Sequence, residues 1–159
     1  MSMALAMRGA MTERTRPTSL LHAETTDRII GVFYDVHREL GFGFSEHVYR
    51  RAMVLALRQE GAKVIEEARI FVEFGGHLIG EFRADMVVDG RVLVEIKAGV
   101  EFQKYAETQL LNYLKAAGGG VGLVMNFGRS ATFKRMVFGN APEKSLPNLF
   151  RSPTEMSSS

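Results

Sequence analysis

The sequence contains no cysteine. That removes disulfides, thiolate metal sites and cysteine nucleophiles together, and it fits a reducing compartment, so the expected location is cytoplasmic. Any metal must be held by oxygen or imidazole. No apolar run approaches the roughly 18 residues of a membrane-spanning helix, so no membrane association is expected. An excess of one charge is missing too. The net charge is only +2, and residues 20–139 carry 15 basic and 15 acidic side chains. Sequence-independent affinity for nucleic acid comes mainly from Lys and Arg neutralising phosphates, so any such binding must be local or metal-assisted. No internal repeat is visible.

What is present has the size and usage of one ordinary globular domain with tails: 159 residues, 46% hydrophobic and 24% charged. In MSMALAMRGAMTERTRPTSL, Arg8 comes too early, after too short an apolar stretch, for a secretory signal. Residues 1–19 are read as a flexible leader, with Met1, Met3, Met7 and Met11 all candidate starts. Residues 20–139 form the folded domain. Residues 140–159 hold three of the four prolines and a serine terminus, and are read as a flexible tail.

From about Thr25, Ile29, Ile30, Phe33, Val36, His37 and Leu40 recur at spacings of three and four. This predicts a helix with one apolar stripe, capped by Thr25 or Thr26. Gly41 and Gly43 stop it, and Ser45 caps a second helix that runs to about Glu60 and is closed by Gly61. The segments AKVIEEARIFVEF, LIGEFRADMVV and RVLVEIKA, separated by GGH and DG, predict an antiparallel meander of three or four strands. Helical spacing returns over residues 102–117, with Ala106, Leu110, Tyr113, Leu114 and Ala117 on one side. GVGLVMNF is apolar almost throughout, as in a strand covered on both faces, and ATFKRMVF adds an edge. The order gives an α/β or α+β fold, one mixed sheet with helices on its faces. The connection from VLVEIK through the helix to VGLVMNF has the length of a right-handed crossover, which predicts parallel neighbours.

The stretch ADMVVDGRVLVEIKAG, residues 84–99, sets Asp85, Glu95 and Lys97 inside apolar runs. Glu95 and Lys97 share a strand face. A two-residue loop at Asp89-Gly90 would pair Asp85 with Val94 and place Glu95 on the opposite face. An odd loop, such as a type I turn with Gly90 at a bulge, would bring all three charges to one face. Converging carboxylates repel and lose hydration unless a cation lies between them. Mg2+ or Mn2+ takes oxygen ligands, commonly one or two carboxylates with waters and a phosphate. A neighbouring ammonium can position water or offset charge on a phosphate. The set suits metal-assisted phosphodiester hydrolysis, while an internal ion pair of Lys97 with Asp85 or Glu95 accounts for the same spacing without chemistry.

With Asp85 and the triplet Glu95-Ile96-Lys97 on a hairpin between helices, the chain resembles the PD-(D/E)xK nuclease superfamily. GFSEHVY, with Gly43, Glu46 and Tyr49 in register, is similar to the signature of its GxxExxY branch. QLLNYL, with Gln109 and Tyr113, and GLVMNFG, with Asn126, resemble the same branch, and the match covers about residues 25–128. The superfamily's proline is absent, since Arg83-Ala84 precedes Asp85. The resemblance implies a restriction-endonuclease-like core, with Asp85 and Glu95 as metal ligands, Lys97 as the catalytic lysine and Glu46 completing the metal site. Mg2+ or Mn2+ would then be held by Asp85, Glu95, the carbonyl of Ile96 and Glu46, and the substrate would be DNA, with RNA not excluded.

The remaining candidates carry two readings each. Glu46 and Tyr49 share one face of a first helical turn, where the helix dipole alone favours an acid. Gln109 and Tyr113, four apart, line one side of their helix; Gln109 is a partner for water or phosphate, and Tyr113 offers a hydroxyl or is simply core. Tyr49, Tyr113, Arg50 and Arg83 are candidate substrate contacts, and with Arg51 and Lys104 the arginines form either a phosphate-binding rim or a solvated surface. His37 reads as a hydrogen-bonded core histidine, and His22, His47 and His77 lack metal-ligand spacing. GFGF lacks the preceding strand of a dinucleotide loop. Two functions follow: a metal-dependent nuclease, or a catalytically silent nuclease-fold module that binds nucleic acid or assembles with a protein partner. A homodimer would let two sites address two strands.

Overall fold

The computed structural model describes residues 22–100 and 104–139; the leader, its alternative starts and the tail lie outside the described residues. Helix α1 (Ala23–Leu40) buries Ile29, Phe33 and Val36 of the stripe read from the sequence, together with Val32, while Ile30, His37 and Leu40 are half-buried at its margin. It begins ahead of the expected cap: His22 holds the N-cap position in a left-handed conformation, and Thr25 and Thr26 are buried in the first turn. The Thr26 hydroxyl donates to the Ala23 carbonyl at 3.1 Å, a back-bond open to threonine within a helix.

Helix α2 (Glu46–Gln59) starts as expected at Ser45, whose hydroxyl accepts from the Val48 N–H. The loop between the helices is pinned by Tyr49. Its hydroxyl donates to the Gly41 carbonyl and accepts from the Phe44 N–H, and its ring stacks on Phe127 at 4.1 Å. Tyr49→Phe removes both bonds while keeping the ring. It is expected to cost about 1–3 kcal/mol, seen as a lower urea midpoint at an unchanged m-value.

Strands β1 (Val64–Phe74), β2 (His77–Val88), β3 (Val92–Lys97), β4 (Gly120–Phe127) and β5 (Ala131–Phe138) form one sheet in the order β1-β2-β3-β4-β5. β3 and β4 are parallel and joined through helix α3 (Lys104–Ala116); the other neighbours are antiparallel. The fold is α+β, and the parallel pair is the one the crossover length predicted. Helices α1 and α2 cover one face, over residues such as Met86, Val94, Ile96 and Met125, while α3 covers Val87, Leu93 and Val124 on the other. β4 is buried along its whole length between them, which is why its sequence shows no alternation.

β2 pairs with β3 only through Met86, Val87 and Val88. Its pairing with β1 continues out to Phe74 and His77. The outer part of this hairpin is thus a two-stranded arm, and the site forms where the arm leaves β3.

Candidate active site

The turn after β2 sets how the charges meet. Val88 pairs with Val92, which leaves Asp89, Gly90 and Arg91 as an odd loop. It is not a type I turn with its bulge at Gly90, because Asp89 (φ 53°) as well as Gly90 (φ 61°) is left-handed. Aspartate enters that region when it finds local hydrogen bonds. Here Oδ1 of Asp89 accepts from the Lys63 N–H, and the Asp89 N–H donates to the Lys63 carbonyl.

Beyond Met86 the ladder stops and side chains replace its rungs. The Asp85 N–H donates to Glu95 Oε1 at 3.1 Å, and the Ile96 N–H donates to Asp85 Oδ2 at 2.6 Å. β1 yields at the same level: its ladder runs from Glu66↔Met86 to Ala68↔Ala84, and Glu67 between them has φ 52°. Val64, Met86 and Val88 pack beneath α1 and α2, whereas Ala68, Ile70 and Ala84 pack beneath α3. Even-numbered residues therefore change faces across Asp85. That residue lies at the switch, in the gap between the strands, with Oδ1 3.8 Å from Arg50 on α2. Glu95 and Lys97 alternate with the buried Val94 and Ile96 and so face α3 with Leu93. The carboxylates converge through the strand gap rather than by sharing one regular face.

Glu95 is only 4% exposed. Burial first, and the charge of Asp85 second, push its carboxyl up to about 8, against opposing help from the Asp85 N–H and Lys97. Burial likewise raises Asp85, opposed by the Ile96 N–H, Arg50 and Lys97 and reinforced by the charge of Glu46. Glu46 is exposed at the start of α2. Among the described residues no three His, Asp or Glu side chains close on one point, so the protein side chains offer two close carboxylates rather than a full cage. That donor set fits a Mg2+-like ion, which keeps waters and needs only one or two carboxylates.

The other expected residues divide. Gln109 and Tyr113 stand on α3 beside the site. The Tyr113 hydroxyl is pushed up to about 12, by burial first and the charge of Glu95 second, against a hydrogen bond from Gln109. Arg50 is committed to carboxylates, 3.3 Å from Glu66 and 3.6 Å from Glu67 besides Asp85, and Arg51 is paired with Glu66. Arg83 and Lys104 are exposed. Tyr49 is wholly buried, placed to hold the α1–α2 loop rather than to touch a ligand. His37 bonds the Gly128 carbonyl through Nε2.

Sequence reasoning did not single out Glu66 and Glu67 as partners of Arg50, and nothing in their spacing marks Glu67 as a left-handed residue. Asn126 lies opposite Lys97 in the β3–β4 register, and its side-chain amide donates to the Gly99 carbonyl. Gly128 lies against the same carbonyl, where an added Cβ would sit at 2.7 Å. The chain leaving Lys97 is thus held by the end of β4. Gly128→Ala must displace it, with an expected loss of about 1–3 kcal/mol in denaturant unfolding.

One five-stranded mixed sheet with three helices on its faces is an α+β fold consistent with a restriction-endonuclease-like core. The family model of the PD-(D/E)XK nuclease superfamily matches residues 23–136. The chain belongs to that superfamily, whose members generally use divalent metals. None of the curated proteins matches the sequence. Among solved structures, the crystal structure of SSO0001 is similar, with 16% identity and a TM-score of 0.48. The match covers 65% of this chain and 55% of that one, so the chain spans about half the length of that protein. No described helix is long and apolar enough to cross a membrane.

Proposed function

We propose that the protein is a divalent-metal-dependent nuclease of the GxxExxY branch that hydrolyses phosphodiester bonds in DNA. The observation that supports this most is the reciprocal grip of Asp85 and Glu95 across the strand gap. It fixes two mutually repelling carboxylates at a strand end, with Lys97 close enough to act on both. Asp85, Glu95 and the Ile96 carbonyl would hold Mg2+ or Mn2+, with Glu46 contributing from the outer side. The ion would supply neutralisation of charge on the phosphate. Lys97 orients the attacking water and offsets the negative charge that builds on the phosphate in the transition state. Tyr113 keeps its proton at neutral pH and remains a hydrogen-bond donor, and Gln109 beside it completes a polar wall on α3.

Cleavage of single-stranded, double-stranded and branched DNA is expected in Mg2+ or Mn2+, lost in excess chelator and regained on adding metal back. Cleavage that survives chelation would overturn metal dependence. A second reading, a silent binding or assembly module, is favoured by the commitment of Arg50 and Arg51 to Glu66 and its neighbours, which leaves few cations near the site. Binding of these DNAs without cleavage of any, in either metal, would select it, and a mass measurement in solution decides whether a homodimer forms.

A further inference from the structure

Beside Gln109 and Tyr113 a pocket of about 110 Å³ opens between α3 and the β1–β2 arm, lined by Phe82, Tyr105, Thr108, Gln109, Asn112 and Tyr113. It shares Phe82 and Asn112 with a cavity of about 400 Å³ that extends along α3 to Lys115. One groove therefore leads from Lys115 to the residues flanking the carboxylates. Its inner end carries three aromatic rings, Phe82, Tyr105 and Tyr113, and its outer end is lined by Val72, Glu73, Lys115 and Ala116. The rings of Phe82 and Tyr113 lie 5.1 Å apart and tilted by 39°, and Tyr105 at the rim is 72% exposed. The Oε1 atom of Gln109 is buried with no hydrogen-bond partner among the described residues.

An anion suits this pocket poorly. An amide oxygen repels phosphate, Glu95 and Asp85 act on the Tyr113 hydroxyl from close by, and the cation Lys115 stands only at the far end. A flat heterocycle suits it well, offering two faces for aromatic contact and an edge of donors and acceptors for an unsatisfied amide. In a duplex those faces and edges are stacked and paired. We infer that the groove takes a single-stranded segment of nucleic acid, with an unpaired base seated between Phe82 and Tyr105 beside the bond to be cleaved. Affinity then comes from stacking more than from phosphate neutralisation, as the even charge balance of residues 20–139 requires. The position relative to the scissile bond rests on the nuclease reading; the base pocket itself does not.

The test is fluorescence anisotropy in chelator with three probes of equal length: a thymidine strand, an abasic strand and a duplex. The thymidine strand is expected to bind about tenfold more tightly than the abasic strand. Tyr105→Ala, a change at an exposed side chain, should erase that preference, and Tyr105→Phe should keep it. Equal binding of thymidine and abasic strands, tighter binding of the duplex, or an unaffected Tyr105→Ala variant overturns the inference. Base-dependent binding without cleavage in either Mg2+ or Mn2+ retains the pocket and removes the nuclease reading. Cleavage by a protein indifferent to bases does the reverse.

Discussion

Lys97→Ala is expected to lower the rate of DNA cleavage by about 10³-fold, within the range found when a positioned proton-transfer or charge-stabilising group is removed. Lys97 ends β3, half-buried, opposite Asn126. Its backbone is held by the neighbouring strand and the Gly99 anchor rather than by its ammonium, so the fold should survive, with a cooperative unfolding transition and an unchanged circular dichroism spectrum. The substitution also removes a charge that favours ionisation of both Asp85 and Glu95. Metal affinity should therefore weaken, and cleavage should be measured at saturating metal to separate the two effects. Wild-type rates in a folded Lys97→Ala protein would leave the lysine as a partner in an internal ion pair and remove it from the chemistry.

The second large effect is a loss of stability as pH rises, in the absence of metal. Glu95 has an ordinary carboxyl value near 4.5 when unfolded and about 8 when folded. Between those limits the native state binds the proton that the unfolded chain has released, so the contribution of Glu95 to stability is fully present below about pH 4.5 and is lost through the window up to about 8. Asp85 shifts in the same direction. With each pH decade worth about 1.4 kcal/mol per proton, the decline amounts to a few kcal/mol. In thermal melts with chelator this corresponds to a fall on the order of 10 °C from pH 5 to pH 8.5, after correction with a variant in which the titration is absent. Glu95→Gln is that variant: its melting temperature should vary far less, and at pH 8.5 it should exceed that of wild type while cleavage is lost. Mg2+ at pH 8.5 should raise the wild-type melting temperature and leave Glu95→Gln nearly unmoved. A wild-type profile that matches Glu95→Gln across the whole range would mean that the buried carboxylate carries no such burden.

Much of this architecture was legible beforehand because it is local. The α1 stripe from Ile29 to Val36, the Ser45 cap and the unbroken apolar run of β4 each follow from spacing within one element. Even the parallel placement of β3 and β4 needed only the length of the connection between them. The start of α1 was misplaced for a local reason too, since Thr26 satisfies its hydroxyl within the helix and His22 takes the cap position.

The convergence of Asp85 with Glu95 was of another kind. The length of the turn was a necessary condition, and Asp89-Gly90 admitted both odd and even loops. What brings the carboxylates together is a departure from regular pairing, with Glu67 left-handed on β1 and two side chains standing in for backbone rungs between β2 and β3. No periodicity announces a strand gap, because it exists only when three strands and α2 are assembled. Arg50 shows the same limit. Its spacing suggested a surface cation, but carboxylates from β1 and β2 surround it once α2 is docked.

By itself, then, the sequence determined which residue types are available for chemistry, two acids and a lysine without thiols, and which elements carry them, since helix and strand periods are properties of neighbouring residues. Only the tertiary structure decided that those acids meet. Contacts across strands depend on register and on a break in it, and these are set by the packing of both sheet faces together.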